Sequence, residues 1–362
     1  MLERLYTNGY RMIEIPMKFN GNFHLHYYPQ LGRIMREVHP EVVHIDEEPY
    51  NLATYLAMRL ARQQHARALF FTWQNIDQRY PPPFALVERY TFAHATSAIR
   101  RLTLRRWFGF LRMQTRVVRR LPRIITVSES SKRDIADQLG VRLDRMTVVP
   151  VGVDQTHFRP LPHIARVPGR IMTTASADVP MKGLVPLLEA VAKVRTERPV
   201  ELVVVGRPRE GSIIPGTIER LGLEGAVEFV GGVDHDRIVE LYAEAEAAVV
   251  PSLYEGFSLP AIEAMACGVP LVSTTGGALP EVVGGHDDTA LLVPPGDSGA
   301  LAAAISRLLD DPALRTRIGA AGRARVFERY TWAATAEGTV EQYRSELRAR
   351  AFSARAAQGR AC

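Results

Sequence analysis

Pro251-Ser252-Leu253-Tyr254-Glu255-Gly256-Phe257-Ser258-Leu259-Pro260-Ala261-Ile262-Glu263-Ala264-Met265-Ala266-Cys267-Gly268-Val269-Pro270 is the stretch that decides the fold of this chain. The four residues before it, Ala247-Ala248-Val249-Val250, form an apolar run of strand length that Pro251 closes. Residues 252–259 are rich in turn formers and polar groups and read as a loop. Pro260 suits the first position of a helix, which Gly268 and Pro270 then stop. The stretch therefore reads as strand, loop and helix. Such a loop delivers backbone N–H groups at a helix N-terminus, where the macrodipole favours an anion. Two carboxylates flank that position, Glu255 in the loop and Glu263 near the end of the first helical turn.

Working outward, the same alternation repeats across the C-terminal half. Apolar runs at 171–174, 202–205, 227–230, 247–250 and 271–273 are separated by helical patterns at 184–195, 217–221, 236–245 and 260–267. Fully apolar strands parted by helices predict a parallel sheet covered on both faces. The N-terminal half is less regular but of the same kind. It has strand patterns at 42–45, 68–72 and 123–127, a helix at 52–63, and Ser128 or Ser130 as the cap of a further helix. The expected class is α/β, with two doubly wound parallel-sheet domains facing a cleft. Turn-rich sequence after residue 148 places the boundary near 155, giving domains at 1–155 and 156–330. A last helix follows within 331–350, and the Ala- and Arg-rich tail at 351–362 is expected to be disordered.

Composition excludes several classes. The chain has 362 residues, 46% hydrophobic and 23% charged, as expected of a soluble globular protein. Lys and Arg exceed Asp and Glu by 45 to 39, a net of +6. No apolar run approaches the roughly 20 residues that span a bilayer. The opening Met1-Leu2-Glu3-Arg4-Leu5 lacks the apolar segment of a secretory leader. The two cysteines, Cys267 and Cys362, suggest neither a disulfide framework nor a zinc site. A cytoplasmic setting is the expectation. Asp234-His235-Asp236 has the spacing of a metal–diphosphate motif, but it opens a helical pattern, so capping is the better reading and no metal is expected.

Physically, a carboxylate at the place of Glu263 suits a ribose diol, because it accepts two hydroxyl hydrogen bonds at once, while Glu255 reaches sugar hydroxyls. The pattern Glu-x7-Glu enclosing Gly-Phe-Ser-Leu-Pro resembles the retaining glycosyltransferases of family 4, which have the GT-B fold. Val148–Asp154, Met181-Lys182-Gly183, Thr275-Gly276-Gly277, Pro280-Glu281 and Leu291–Gly296 resemble further segments of that family, over about residues 123–345. The resemblance implies a nucleotide sugar as donor substrate and no cofactor. It implies Lys182 on the donor diphosphate, Glu255 on the sugar and Glu263 on the ribose, with Gly256 and the main chain of Phe257, Ser258 and Leu259 nearby. Leaving-group charge would fall on Lys182 and backbone N–H groups. Ser176 and Ala177 stand where the family often has Gly-Arg, and Arg207, after Gly206 at the next strand end, is the candidate substitute.

The acceptor side departs further. Glu47, in His44-Ile45-Asp46-Glu47-Glu48, and Trp73 with Asn75 follow strand ends and are the acceptor-side candidates. His44 reads as a packed strand residue. Trp73 and Asn75 stand where many family members place a histidine. The first strand-like run is 10–16, without the family's glycine-rich turn, so the N-terminal domain is expected to lack a first βα unit. Residues up to about Phe92 resemble one branch of the family and those from Ala93 another, as in a recombined gene. Between Arg89 and Ser128 no acidic residue occurs, and arginines from Arg100 to Arg123 interleave with Leu102, Trp107, Phe108 and Phe110. A carbohydrate or lipid-linked acceptor is expected. Peripheral contact with an anionic membrane, suiting a lipid-linked or membrane-proximal acceptor, is one reading; arginines in solvent on a packed helix is the other. The competing functions are another GT-B activity such as an epimerase, an inactive donor-binding relative, and an arginine-rich nucleic-acid binder. The last leaves the loop–helix stretch unexplained and lacks any accompanying nucleic-acid motif.

Overall fold

The computed structural model describes residues 13–19, 25–45, 51–72, 97–100, 123–174 and 178–358. The chain divides into two compact units. The first takes residues up to Thr126 together with Ile135–Thr147, and the second takes Val127–Asp134 and everything from Val148.

The first unit holds a five-stranded sheet, β1 (Val42–Ile45), β2 (Arg67–Thr72), β3 (Ser97–Arg100), β4 (Arg123–Thr126) and β5 (Met146–Val148), ordered as in the chain. β1 through β4 pair in parallel. Helices α1 (Leu31–Val38), α2 (Leu52–Gln63) and α3 (Glu129–Leu139) accompany it, although α3 belongs to the second unit as far as Asp134. Ala57, Met58 and Ala61 of α2 bury one face with Met35, Ile45, Ile124 and Ile135. Among the described residues the strand order does not reverse, and no strand precedes β1, which lies at the sheet edge. Residues 13–17 of the expected first run are irregular. His44 corrects its reading: it is exposed on this edge strand rather than packed.

The second unit carries the parallel sheet that the alternating pattern predicts, with six strands where the pattern marks five. Its strands are β6 (Arg170–Thr174), β7 (Glu201–Val205), β8 (Val227–Val230), β9 (Ala247–Val250), β10 (Leu271–Thr274) and β11 (Leu291–Val293). All pairings are parallel, in the order β11-β10-β9-β6-β7-β8. Strand period shows directly in the cores: Ala247 and Val249 join one cluster, Ala248 and Val250 the other. On the first face lie α4 (Leu184–Arg195) and α9 (Ser298–Asp310), through Leu187, Leu188, Val191, Leu301 and Ile305. On the other lie α6 (His235–Glu244) and α7 (Leu259–Ala266), through Val239, Tyr242, Ile262 and Met265. Each such side chain contributes roughly 1.5–3 kcal/mol of burial. Short helices α5 (Ile214–Arg220) and α8 (Leu279–Val283) complete the alternation, and α10 (Pro312–Arg329) packs against α7.

This order fixes where a ligand site belongs. The chain steps from β6 outward to β7 and β8, then returns to place β9 on the other side of β6 and steps outward again. The reversal lies between β6 and β9, whose following helices lie on opposite faces of the sheet, and this is the topological switch point at which open α/β sheets bind ligands.

The last helix, α11 (Trp332–Gln358), runs on past residue 350 into the segment expected to be disordered. Its start is tied to the segment after β5: Val153 N–H donates to Tyr330 at 2.9 Å and the Thr335 hydroxyl to Pro150 at 2.8 Å. Among the described residues no helix is long and apolar enough to cross a membrane. Residues 101–122 of the arginine-rich stretch lie outside the described residues.

Candidate active site at the switch point

Three loops meet through main-chain atoms, those following β6, β9 and β10. After β6, residues Pro180–Lys182 form a single 3-10 turn that Gly183 closes at φ 69°. A side chain at 183 is excluded twice, by that left-handed backbone and because a Cβ there would lie 1.9 Å from the carbonyl oxygen of Pro251. Beside it the N–H of Leu253 donates to Met181 at 2.8 Å. On the far side Glu255 pairs with Gly277 as an isolated bridge, and its carbonyl accepts the N–H of Ala278 at 2.8 Å. A Cβ on Gly276 would lie 2.4 Å from the carbonyl of Leu253.

That interlock brings Lys182 and Glu255 together although 73 residues separate them. Lys182 Nζ donates to Glu255 Oε1 at 2.6 Å, and the Ser252 hydroxyl donates to the same oxygen at 2.8 Å. Glu255 is only 8% exposed, so its charge needs the partners it has. Thr274, fully buried, donates its hydroxyl to the Ser252 carbonyl at 2.5 Å and accepts the N–H of Gly276 at 3.2 Å.

The next residue brings in a segment from far upstream. The Gly256 carbonyl accepts the hydroxyls of Ser128 at 2.7 Å and Ser131 at 2.9 Å. Ser128 also caps α3 by accepting the N–H of Ser131 at 2.9 Å, as the sequence suggests. Its second contact carries no sequence signal. Glu281 completes that helix start by accepting the N–H groups of Glu129 at 2.8 Å and Ser130 at 3.1 Å. The Tyr254 hydroxyl donates to Asp134.

Helix α7 begins one residue earlier than expected. Ser258 is the cap, accepting the N–H of Ala261 at 3.4 Å, and Pro260 is the second helical residue rather than the first. Phe257 is buried against Tyr330, ring centroids 5.6 Å apart. The N–H groups of Phe257, Ser258 and Leu259 have no acceptor among the described residues. They form an unused donor set at the helix start, where backbone polarity favours an anion.

Glu263 lies one turn into α7, half-buried, and its carboxylate accepts no hydrogen bond among the described residues. Burial pushes its carboxyl from 4.5 to about 7. The same surroundings act on its neighbours. Burial, then the charge of Glu263, push the Tyr242 hydroxyl well up and the Cys267 thiol to about 12.

Other candidates lie apart from this pair. Gly206 ends β7 with its N–H on Val230 at 2.8 Å. Arg207 is exposed and folds over Gly231, donating to its carbonyl at 3.0 Å, so nothing joins its guanidinium to Lys182 or Glu255. Asp234 caps α6 by accepting the N–H of Arg237 at 2.9 Å, the use expected of it. Among the described residues no group of three His, Cys, Asp or Glu side chains could hold a metal ion. Glu47, Trp73, Asn75, Ser176 and Ala177 lie outside the described residues.

Residues 3–157 match the family described as Glycosyltransferase Family 4, and residues 164–325 match Glycosyl transferases group 1. The chain belongs to the family 4-like glycosyltransferases of GT-B fold. Among curated relatives of this glycosyltransferase chain, the MMP alpha-(1->4)-mannosyltransferase of Mycolicibacterium hassiacum is 44% identical over 248 residues, 68% of this chain and 60% of that protein. The D-inositol 3-phosphate glycosyltransferase of Kineococcus radiotolerans is 34% identical over 263 residues, 66% and 60% of the two chains. The chain thus spans about 60% of the length of these relatives. The GT-B fold is shared with sucrose-phosphate synthase of Thermosynechococcus elongatus, at TM-score 0.62 and 24% identity over 89% of this chain and 78% of that one. It is shared equally with HepE of Anabaena in complex with UDP-glucose, at TM-score 0.63 and 19% identity over 88% and 82%.

Proposed function

We propose that the chain binds a nucleotide sugar at the switch point between β6 and β9 and transfers the sugar to an acceptor hydroxyl with retention of configuration. The observation that carries this reading is one cation, one buried carboxylate and three amides without an acceptor among the described residues, all on the loops that follow β6 and β9: Lys182, Glu255, and the N–H groups of Phe257, Ser258 and Leu259. A sugar diphosphate requires that combination, since its phosphates need positive potential and its hydroxyls need acceptors.

In this reading Lys182 keeps two N–H bonds for the diphosphate beyond the one it gives Glu255. The bond from the sugar's anomeric carbon to the phosphate oxygen breaks as the acceptor oxygen bonds to that carbon. The electron pair leaves with the nucleoside diphosphate, whose departing oxygen takes the proton of the acceptor hydroxyl and whose charge Lys182 and the amides stabilise. Glu255 holds the sugar by its hydroxyls, and Glu263 takes the ribose diol. The hexosyl donor and the hydroxyl-rich acceptor, carbohydrate or lipid-linked, are supported by the names of the mannosyl- and inositol 3-phosphate-directed relatives. Arg207 would have to leave the Gly231 carbonyl to reach a phosphate.

The test is a thermal-shift panel of nucleotide sugars, followed by donor hydrolysis and transfer assays. A stabilising nucleotide sugar whose effect disappears in Glu263→Ala is the expected result. No stabilisation by any nucleotide sugar would refute the reading. Binding without hydrolysis or transfer would reduce the chain to a donor-binding relative.

A further inference from the structure

The two oxygens of Glu255 are not equivalent. Oε1 accepts two hydrogen bonds, from Lys182 at 2.6 Å and from Ser252 at 2.8 Å. Oε2 accepts nothing from the described residues, yet it is not sealed away from solvent. The carboxylate is thus held by one oxygen and offers the other.

Ser252 is built to do this. It is 3% exposed, and both its polar ends are committed. Its carbonyl takes the Thr274 hydroxyl, and Thr274 in turn takes the N–H of Gly276, so the end of β10 and the loop after it fix the backbone of Ser252. Its hydroxyl points to Oε1 and to no other acceptor. Lys182 alone would not define the carboxylate plane. It is a flexible, third-exposed ammonium that must also serve a phosphate. A second donor at a fixed angle stops the carboxylate from turning about its last bond, and it stays in place when Lys182 is drawn toward a ligand.

We propose that Ser252 is a positioning residue for the donor sugar: by holding Oε1 of Glu255 it presents Oε2 to a sugar hydroxyl. This rests on the donor reading above and adds to it a residue that touches no substrate. The sugar, and not the nucleotide, should feel its loss.

The experiment measures affinities of UDP, GDP and ADP and of their glucose and mannose conjugates for the full chain by calorimetry. The readout is the factor by which a conjugate binds more tightly than its own nucleoside diphosphate. In Ser252→Ala that factor falls about tenfold, the scale of one hydrogen bond to a charged group, while the nucleoside diphosphate binds as before. Ser252→Cys, close in volume and a weak donor, shows the same loss and settles the matter if the alanine variant does not fold. An unchanged factor in the folded variant would overturn the proposal and leave the donor reading standing. A wild-type chain that binds none of these nucleotides would instead remove the donor reading itself.

Discussion

Glu263→Gln should make the donor-free protein increasingly more stable than the wild type as pH rises above 4.5, with the full gain reached above about 7. The carboxyl titrates at about 7 in the folded chain against 4.5 in an unfolded one, because burial disfavours its charge. Below pH 4.5 both states hold the proton and burial costs nothing. Between 4.5 and 7 the unfolded chain releases its proton while the folded one keeps it, so stability falls as pH rises. Above 7 the folded protein carries the full penalty, on the order of 3 kcal/mol. Glutamine cannot ionise and carries none. Urea unfolding of both proteins, followed from about pH 4.5 to about pH 8, should therefore show a stability difference that grows in favour of Gln and levels off above 7. A difference that stays constant across that range would refute the argument. On the donor reading, a nucleotide sugar should reverse the order, with ribose hydroxyls donating to the ionised form. Donor affinity of the wild-type chain should rise as pH passes through 7, and that rise should be absent in Glu263→Gln.

Further outcomes follow from the interlocked loops. Gly183→Ala places a methyl group against the Pro251 carbonyl in a left-handed backbone; it should cost at least ~2 kcal/mol in thermal unfolding and abolish donor binding. Lys182→Met leaves the nearly buried Glu255 without its cation and should cost ~1–3 kcal/mol, allowing for the partial exposure of the lysine. Adding Glu255→Gln should recover much of that stability without recovering transfer, as a double-mutant cycle would show. Ser128→Ala with Ser131→Ala strips the Gly256 carbonyl of both hydroxyl donors; the expected cost is ~1–3 kcal/mol, more than twice that of either single change, measured by calorimetric unfolding.

Much of the second unit was legible because its signals are local. Continuous apolar runs such as Ala247–Val250 are buried on both sides and alternate between two cores, as a parallel strand must. The helix 184–195 needed only its own periodicity. Where competing local preferences met, the reading slipped. Pro260 is as acceptable at the second helical position as at the first, and the capping hydroxyl of Ser258 decides between them. The Ala- and Arg-rich tail lacks an apolar stripe, but both residues favour helix, and α11 continues into it as far as Gln358. The strand Leu291–Val293 is too short to announce itself. In the candidate site, the chemical types of Lys182, Glu255 and Glu263 could be read, whereas the partners that orient them could not. Ser128 and Ser131 reach Gly256 across more than 120 residues, and Ser252 meets Glu255 inside an irregular loop where no period applies.

The interlocking of the three loops through backbone atoms bears on how such a protein can change. Its alignment of Lys182 with Glu255 is written in carbonyls, amides and missing Cβ atoms at Gly183, Gly276 and Gly277, joined by the buried hydroxyls of Ser252 and Thr274. Outward-facing positions on the same loops are therefore free to vary without disturbing the cation–carboxylate geometry. A laboratory selection for a different sugar should collect its beneficial substitutions at those positions. The three glycines should stay fixed through every round, and no loop should change length unless its neighbours change with it.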